Sequence, residues 1–313
     1  MRFDFHLRRC QALASLLNYT ISYFNMSDFE FVWTLDDVPF WYYDHEITID
    51  NNSNFITKNM FPGFGAIRCW QKGGFALPFY GSHVKWTINN FDDFVYIVDT
   101  PFEKRLNKAI FRGGLYRGCS FNRDLYINYN LGSNFSRRGN CGRSKLLNIA
   151  NQFPQYIDYN GSEHFIPLYE QNHKFKYVIS AEGFGGWADR LMNLFIDSTM
   201  LIFDQNHPCD QWFEPLLKPY VHYIPFINDF SNLPARIVWA NNNPHMAKEI
   251  QTNGNLLGNK YFKKSGNIAY IYTLLTLYMT KINYKIQLRN NSIDWQYLFD
   301  YNYVNQNCIK FIR

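Results

Sequence analysis

Carboxylates and arginines beside predicted strand ends and glycine turns are the residues of this chain whose types and spacing could do chemistry. Asp36 and Asp37 come directly after a β-rich run, residues 29–35, and shortly before Pro39. In an α/β protein, a carboxylate just past the carboxyl end of a strand points into the ligand crevice. A turn residue before proline is the open alternative. Either carboxylate is therefore a candidate site residue.

A glycine turn between a predicted strand and a predicted helix is the second candidate. The strand covers residues 177–180, the turn contains Gly183, Gly185 and Gly186, and the helix carries Arg190 near its start. Amide N–H groups and the positive end of the helix dipole converge at such a turn and favour an anion, first of all a nucleotide-type phosphate. Most glycine clusters are simply turns, so these glycines by themselves do not establish a phosphate site.

The spacing within that helix assigns its faces. Trp187, Leu191 and Leu194 recur at helical intervals and predict the core-facing stripe. Arg190 lies on a different side of the helix, from which it can reach the crevice.

A second strand–loop–helix unit carries further arginines. Residues 109–114 predict a strand running into Gly113 and Gly114, with Arg112 beside them, and Arg123 stands at the start of the next predicted helix. The rigid guanidinium fork suits phosphate. The chain has no D-x-D pair of the kind that holds a divalent metal on a pyrophosphate. Arginines and helix N-termini would then neutralise a nucleotide diphosphate, although a surface or ion-paired role is the alternative for any single arginine.

Alternating strands and helices must position these residues. The pattern predicts a mostly parallel sheet, arranged twice, with a boundary near Glu103. Asn243 and Pro244 predict a helix start and Gly254 its stop. His222 is predicted to be a hydrogen-bonded core histidine. Further predicted elements are helices over residues 10–23 and 145–152, a strand over 94–98, and a buried helix over 268–279.

Length and composition restrict the class of protein. The chain has 313 residues, of which 47% are hydrophobic and 19% aromatic, so it is globular. The net charge of +5 is dispersed and forms no basic arm, which argues against a nucleic-acid partner. No secretory signal and no segment of about 20 apolar residues is visible, which predicts a cytoplasmic protein without a membrane span. The six cysteines are widely spaced; buried thiols are favoured over disulfides, and both remain open.

Several short motifs occur together and in order between about Phe31 and Tyr278. They are LDDVP at 35–39, PFEK at 101–104, FRG at 111–113, NRD at 122–124, KY at 176–177, EG at 182–183 with Arg190, LKPYVHYIP at 217–225 and DFSNL at 229–233. In this set the chain resembles glycosyltransferase family 90, which includes capsule-associated xylosyltransferases, Rumi-like protein O-glucosyltransferases and lipopolysaccharide-modifying enzymes. The motif at 217–225 is the most specific.

The resemblance implies an α/β protein of the GT-B fold, with two Rossmann-like domains facing a central cleft. Residues 1–103 would form the acceptor-side domain and residues 104–266 the nucleotide-sugar domain, with a C-terminal helix, 267–313, packing back on the first. The implied activity is inverting transfer of glucose or xylose from a UDP-sugar to a glycan, lipid-linked saccharide or glycoprotein acceptor. No metal or other cofactor is expected.

The resemblance also implies roles for individual residues. Asp37 matches the catalytic base, and Arg123 and Arg190 match the arginines that hold the pyrophosphate of UDP. The remaining donor-binding candidates are Arg112, Gly113, Gly114, Gly183, Gly185, Gly186 and Trp187.

Two positions depart from the family pattern. Gly114 stands where serine is usual, which removes or moves one hydrogen bond to the nucleotide. Asp36 replaces a common arginine, and a neighbouring carboxylate raises the pKa of a carboxyl group, so either aspartate could be the base. These departures keep open a second hypothesis, a glycan- or nucleotide-binding protein that retains the fold without catalysis.

Overall fold

The computed structural model describes the second half of the chain most fully. The described residues are 13, 16–26, 31, 47–49, 55–57, 63–65, 68–69, 74–78, 100–114, 142–160, 166–181, 191, 200–204, 209–227 and 229–281. The predicted strands at 29–35 and 94–98 and the predicted helix around Arg190 lie outside these ranges, apart from isolated positions.

A five-stranded, fully parallel sheet is the centre of the described structure. Its strands are β6 (Leu106–Ile110), β7 (Ile157–Asp158), β8 (Phe175–Ser180), β9 (Met200–Asp204) and β11 (Ile224–Phe226), in the spatial order β11-β9-β8-β6-β7. Counted along the chain from β6, this is the doubly wound order 2-1-3-4-5. The predicted α/β class with a parallel sheet is confirmed.

Helices follow the strands and cover the sheet. They are α1 (residues 16–24), α2 (Gly142–Gln152), α3 (Leu168–Lys174), α4 (Leu233–Asn242), α5 (Pro244–Tyr261) and α6 (Lys264–Lys281). Short 3-10 turns occur at Phe102–Lys104 and Glu214–Leu216. The predicted helix at 145–152 is confirmed by α2, and α1 with the buried Leu13, Leu16 and Leu17 confirms the N-terminal stripe.

Both faces of the sheet are buried at the carboxyl ends of its central strands, where Ala109, Ile110 and Phe111 at the end of β6 and residues 177–180 of β8 are all buried. Ala109 and Phe111 lie in one hydrophobic cluster with residues of α2, α4 and α5. Ile110 lies in the other cluster, with residues of α1 and α6. The alternation along β6 therefore connects two cores through a single strand.

Short strands lie in the first part of the chain. They are β1 (Ile47–Ile49), β2 (Phe55–Thr57), β3 (Phe64–Gly65), β4 (Arg68–Cys69) and β5 (Phe75–Ala76). β1 pairs with β2 antiparallel and β3 with β5 parallel, while β4 pairs with the later β10 (Cys209–Asp210).

The last described helix packs against this first part of the chain. The Tyr270 hydroxyl of α6 donates a hydrogen bond of 2.7 Å to the Ala76 carbonyl oxygen. The Tyr278 ring stacks edge-on against Phe64 at 5.1 Å between centroids. Leu277 of α6 is 57% exposed, so the helix is buried on one face only, and the prediction of a buried helix needs that correction. The boundary near Glu103 stays a prediction.

The predicted start of α5 at Asn243 and Pro244 is confirmed, because the helix begins at Pro244, but its predicted stop at Gly254 is wrong. The helix continues through Gly254 to Tyr261, because Gly254 and Gly258, one turn apart, are both buried on its packed face and their small size is tolerated there. Asn243 stands at the N-cap position, but its side-chain amide donates to the Trp239 carbonyl oxygen at 2.8 Å and does not cap α5.

His222 lies in a turn and is not a core residue. The loop from Lys218 to Tyr223 is closed by a hydrogen bond of 3.0 Å from the Lys218 backbone N–H to His222 Nδ1. Tyr220 in this loop has a φ of 58°, a left-handed conformation that a non-glycine residue adopts at a tight turn. Partial burial and the Lys218 charge lower the pKa of His222. The histidine is hydrogen-bonded, as predicted, but in a half-buried turn.

Candidate functional site

The carboxyl edge of the parallel sheet is the place where an α/β fold of this order binds ligands. In the order 2-1-3-4-5, the crevice opens between the first and third strands, because the chain leaves these two strands in opposite directions. Here those strands are β6 and β8, which are hydrogen-bonded neighbours. The residues that follow them are Phe111–Gly114 and Ala181, and they form the floor of the candidate site.

Arg112 is the first predicted site residue after β6. It is buried, and its guanidinium is ion-paired with the Asp158 carboxylate at the end of β7. Arg112 Nη1 also donates hydrogen bonds of 2.8 Å to the carbonyl oxygens of Phe111 and Asp158. Arg112 thus ties the ends of β6 and β7 together, and its predicted contact with a donor stays a prediction.

The two glycines after Arg112 differ in their surroundings. The Tyr159 hydroxyl donates a hydrogen bond of 3.1 Å to the Gly113 carbonyl oxygen, and the Tyr159 ring packs edge-on against Phe111. Among the described residues, a Cβ atom added at Gly114 would meet no heavy atom within 4 Å. The Gly113 backbone is thus held by Tyr159, while no described atom crowds the Cα position of Gly114.

Arg143, the second residue of α2, spans the crevice between β6 and β8. Its Nη1 donates to the Gly114 carbonyl oxygen and its Nη2 to the Ala181 carbonyl oxygen, both at 3.3 Å. The guanidinium carbon lies 5.2 Å from the centre of the Phe111 ring. Arg143 is 6% exposed, so its side chain is part of the crevice floor.

The segment after β11 completes the described part of this edge. The Ser231 side chain and backbone N–H donate to the Asp229 carboxylate, and these bonds, with a smaller contribution from Lys145, lower the pKa of Asp229. Lys145 of α2 approaches that carboxylate to 3.7 Å, which links the start of α2 to the segment before α4. Asn232 accepts a hydrogen bond of 3.0 Å from the Ile227 backbone N–H. The DFSNL motif is therefore an ordered turn that begins α4 at the ligand edge.

The other predicted site residues lie outside the described part of the chain. These are Asp36, Asp37, Arg123, Gly183, Gly185, Gly186, Trp187 and Arg190. Ala181 is the last described residue before the glycines at 183–186. It borders the same crevice as Phe111–Gly114, because β6 and β8 are neighbours in the sheet.

A separate cleft lies at the opposite edge of the sheet. It has a volume of about 300 Å³ and lies between the segment before β6 and one face of α5, where Arg105 and Lys248 are among its lining residues. Burial lowers the pKa of Arg105 to about 10, although the Glu103 charge opposes the shift. Its place at the amino end of β6 separates this cleft from the candidate site.

The described residues form neither a metal-ligand cluster nor a membrane-spanning helix. No three or more His, Cys, Asp or Glu side chains there come together as metal ligands would. Independence from metal stays a prediction. Within the same ranges, no helix has both the length and the apolar character needed to cross a bilayer.

The sequence-based reasoning missed Arg143, Asp158 and Tyr159. Arg143 is the third arginine of the run SRRGNCGRSK, and nothing in that run separates it from Arg137 and Arg138. The usable signal was its place at the start of a predicted helix, the criterion that singled out Arg123 and Arg190. Asp158 ends a strand of two residues, which is too short for a periodic pattern.

Comparison with curated proteins finds relatives of two kinds. An uncharacterised protein of Invertebrate iridescent virus 6 is 28% identical over 56% of this chain and 17% of its own length. Protein O-glucosyltransferase 1 of Bos taurus is 30% identical over 37% of this chain and 29% of the relative. The human protein of the same name is 22% identical over 70% of this chain and 54% of the relative. The chain thus spans about half or less of the length of these relatives.

Two solved structures are remotely similar. The crystal structure of TarM has a TM-score of 0.37 at 13% identity, covering 58% of this chain and 37% of TarM. A sucrose-phosphate synthase from Thermosynechococcus elongatus has a TM-score of 0.41 at 11% identity, covering 68% and 55% of the two chains.

The family comparison spans the sheet, the crevice and the helices around them. The model of glycosyl transferase family 90 matches residues 99–296, which is well over half of the chain. The match begins just before β6 and ends beyond α6, so it contains all five strands of the parallel sheet. The chain belongs to glycosyl transferase family 90.

Proposed function

We propose that this protein is an inverting, metal-independent glycosyltransferase that moves a sugar, glucose in the first instance, from a UDP-sugar to a hydroxyl group of a glycoconjugate acceptor. The observation that carries the proposal is the family match over residues 99–296, which includes the complete parallel sheet and the crevice between β6 and β8. Glycosyl transfer follows from the family, while the donor, the stereochemistry and the metal independence are proposed.

The reaction needs a base, an electrophile and a leaving group. An acceptor hydroxyl oxygen attacks the anomeric carbon, the new C–O bond forms on the face opposite UDP, and the bond from the anomeric carbon to the phosphate oxygen breaks. Asp37, or its neighbour Asp36, takes the hydroxyl proton. UDP leaves with the bonding electron pair as its diphosphate, whose charge Arg123 and Arg190 hold together with helix N-termini.

The crevice suits an anionic leaving group. The carboxyl ends of β6 and β8 are neighbours there, and the sequence after β8 contains Gly183, Gly185 and Gly186, which are predicted to form a phosphate-binding turn. Glycine permits backbone N–H groups to approach a phosphate closely, and a diphosphate is long enough to contact both loops. The absence of a D-x-D pair in the sequence supports charge neutralisation by arginine.

We propose glucose rather than xylose as the transferred sugar because of the names of the relatives. Several of them are named protein O-glucosyltransferase, and human protein O-glucosyltransferase 1 aligns with 70% of this chain. Glucose and xylose differ by one hydroxymethyl group, so a single pocket side chain could decide between them. The acceptor is proposed as a hydroxyl on a glycan, a lipid-linked saccharide or a glycoprotein.

The first experiment measures UDP release from a panel of UDP-sugars, with and without a chelator, for the wild type, Asp37→Asn and Asp36→Asn. We expect chelator-resistant release with UDP-glucose, and a turnover lower by about 10²–10⁴ when the base is replaced, with donor affinity nearly unchanged. The aspartate whose replacement causes this loss is the base. Normal turnover in both variants would remove the pair from the mechanism.

The binding-only alternative is favoured by Gly114 and Asp36, the two positions that depart from the family pattern. Simple saccharides and peptides that carry serine would be offered as acceptors. UDP binding by calorimetry without release from any donor, under any of these conditions, would favour a non-catalytic nucleotide- or glycan-binding protein over the transferase.

A further inference from the structure

Arg143 is the described side chain that joins the two sides of the crevice. One guanidinium nitrogen binds the Gly114 carbonyl oxygen after β6, and another binds the Ala181 carbonyl oxygen after β8. The other described contacts of the first loop, from Asp158 and Tyr159, tie it to the β7 end of the sheet. Those contacts hold the first loop in place but do not set its distance from the second.

The chemistry of the guanidinium fits this bridging position. Its planar fork offers several N–H donors in fixed directions, so a single group can satisfy two carbonyl oxygens at once. The guanidinium carbon lies 5.2 Å from the centre of the Phe111 ring, within the range of a cation–π interaction that helps to hold the fork in place. With 6% of its surface exposed, Arg143 is shielded from water, which makes each of these charge-assisted hydrogen bonds stronger.

The position in the fold gives the bridge a functional consequence. Gly114 and Ala181 each stand at the start of a segment that carries predicted phosphate-binding residues: Arg123 follows the first, and the glycine turn with Arg190 follows the second. If these predicted residues bind one diphosphate across the switch point, its affinity depends on the separation of Gly114 and Ala181.

We propose that Arg143 is a positioning residue for the donor. It holds the Gly114 and Ala181 backbones at the separation that the diphosphate of the nucleotide sugar requires, and it acts through the two loops without replacing Arg123 or Arg190 as a phosphate ligand. This proposal rests on the proposed transferase function. It adds a specific residue that joins the two halves of the donor site.

The test compares Arg143→Lys and Arg143→Met with Arg105→Lys. Lysine keeps the charge but, with a single nitrogen on a flexible stem, does not reproduce the fork, and methionine keeps the apolar stem alone. Arg105 is a matched control because it is equally buried, at 6% exposure, and its Nε donates to the Thr100 carbonyl oxygen at the opposite edge of the sheet. UDP affinity is measured by calorimetry, donor KM and kcat by UDP release, and Tm by thermal unfolding.

We expect both Arg143 variants to raise the Kd for UDP and the donor KM by about tenfold or more, with kcat at saturating donor much less affected. Arg143→Lys should lose more than half of the UDP affinity, in free energy, that Arg143→Met loses, because lysine keeps the charge but not the planar fork. Arg105→Lys lowers Tm by a similar amount but leaves donor KM within twofold.

Three results would overturn the proposal. An unchanged UDP Kd in folded Arg143→Lys, or an equal rise in donor KM for Arg105→Lys, would show that Arg143 only stabilises the fold. If Arg143→Met fails to fold, the lysine variant alone decides. A wild-type protein that neither binds UDP nor releases it from a donor would remove the proposed function and this role together, whereas normal wild-type binding with unaffected variants removes only the role of Arg143.

Discussion

At the scale of single residues, Gly114 is the departure from the family pattern that the described structure can assess. The family usually has serine there, and a Cβ at this position would meet no heavy atom of the described part of the chain within 4 Å. Its carbonyl oxygen accepts a hydrogen bond from Arg143, so the backbone at Gly114 is held while its side-chain position is open. The glycine is therefore not required by packing, and a hydroxyl could be introduced without displacing a neighbour.

Gly114→Ser tests whether this departure weakens donor binding. We expect the free energy of unfolding to change by less than about 0.5 kcal/mol, because the serine side chain would not crowd any described residue. The UDP Kd should fall by roughly two- to tenfold, the value of one added hydrogen bond. Calorimetric titration with UDP measures it, and Gly114→Ala is the control that adds Cβ without the hydroxyl. Equal affinities for the serine and alanine variants would show that the hydroxyl does not reach the nucleotide.

At the scale of elements, the junction between α5 and α6 shows how two helices are joined within a few residues. Asn267, fully buried, donates its side-chain amide to the carbonyl oxygens of Phe262 and Lys263 at 2.9 and 3.0 Å. A Cβ at Gly266 would lie 2.2 Å from the Tyr261 carbonyl oxygen, which belongs to the backbone at the end of α5. The close approach of the two helices therefore requires glycine at position 266.

Gly266→Ala should destabilise the protein. The added methyl group would force the end of α5 away from the start of α6, and overpacking of this kind costs about 1–3 kcal/mol. Urea unfolding gives the change in free energy, and Gly114→Ala, a substitution of the same type in open space, provides the comparison. A Gly266→Ala protein as stable as Gly114→Ala would show that the junction relaxes without cost.

At the scale of the whole molecule, α6 connects the parallel sheet to the first part of the chain. Its buried residues lie in the same hydrophobic cluster as Leu16, Phe64 and Leu77. The hydrogen bond from the Tyr270 hydroxyl to the Ala76 carbonyl oxygen also joins α6 to that part of the chain. Burial raises the pKa of Tyr270 to about 12, with the Arg68 charge opposing the shift. The connection therefore depends on a phenol that must stay protonated.

The sign of the pH dependence follows from that shift. An ordinary phenol titrates near 10, so the unfolded chain loses the proton first as the pH rises. The stabilisation by Tyr270 is fully present below about pH 10 and is lost as the pH approaches about 12. Tyr177, whose pKa burial also raises, acts in the same direction, while Arg105, with its lowered pKa, acts in the opposite one. A comparison with Tyr270→Phe isolates Tyr270.

Tyr270→Phe should be less stable than the wild type at pH 8 by about 1–3 kcal/mol, because the Ala76 carbonyl oxygen loses its partner. The difference should narrow as the pH rises above about 10, since only the wild type loses a proton from this position. Urea unfolding of both proteins at several pH values measures this difference in the free energy of unfolding. The contributions of Tyr177 and Arg105 cancel because both proteins contain these residues. A difference that stays constant up to about pH 11 would contradict the assignment.

The sequence by itself determined the family and the class of fold. The PFEK, FRG and LKPYVHYIP motifs are local strings, readable without coordinates, and the family that they indicate is the one whose model matches residues 99–296. Helix α2 and strand β8 were predictable because their apolar residues recur with the period of the element. The roles of Asp37, Arg123 and Arg190 remain predictions, since these residues lie outside the described ranges.

Only the tertiary structure decided which residues meet. Arg143, Gly114 and Ala181 are separated by 29 and 38 residues in the chain and come together because β6 and β8 are neighbours in the sheet. The continuation of α5 through Gly254 was likewise decided by packing, which outweighs the low helix propensity of glycine. Periodicity and motifs are properties of short segments, whereas strand order depends on which face of the sheet each connecting helix packs against. The crevice and its bridging arginine therefore follow from strand order.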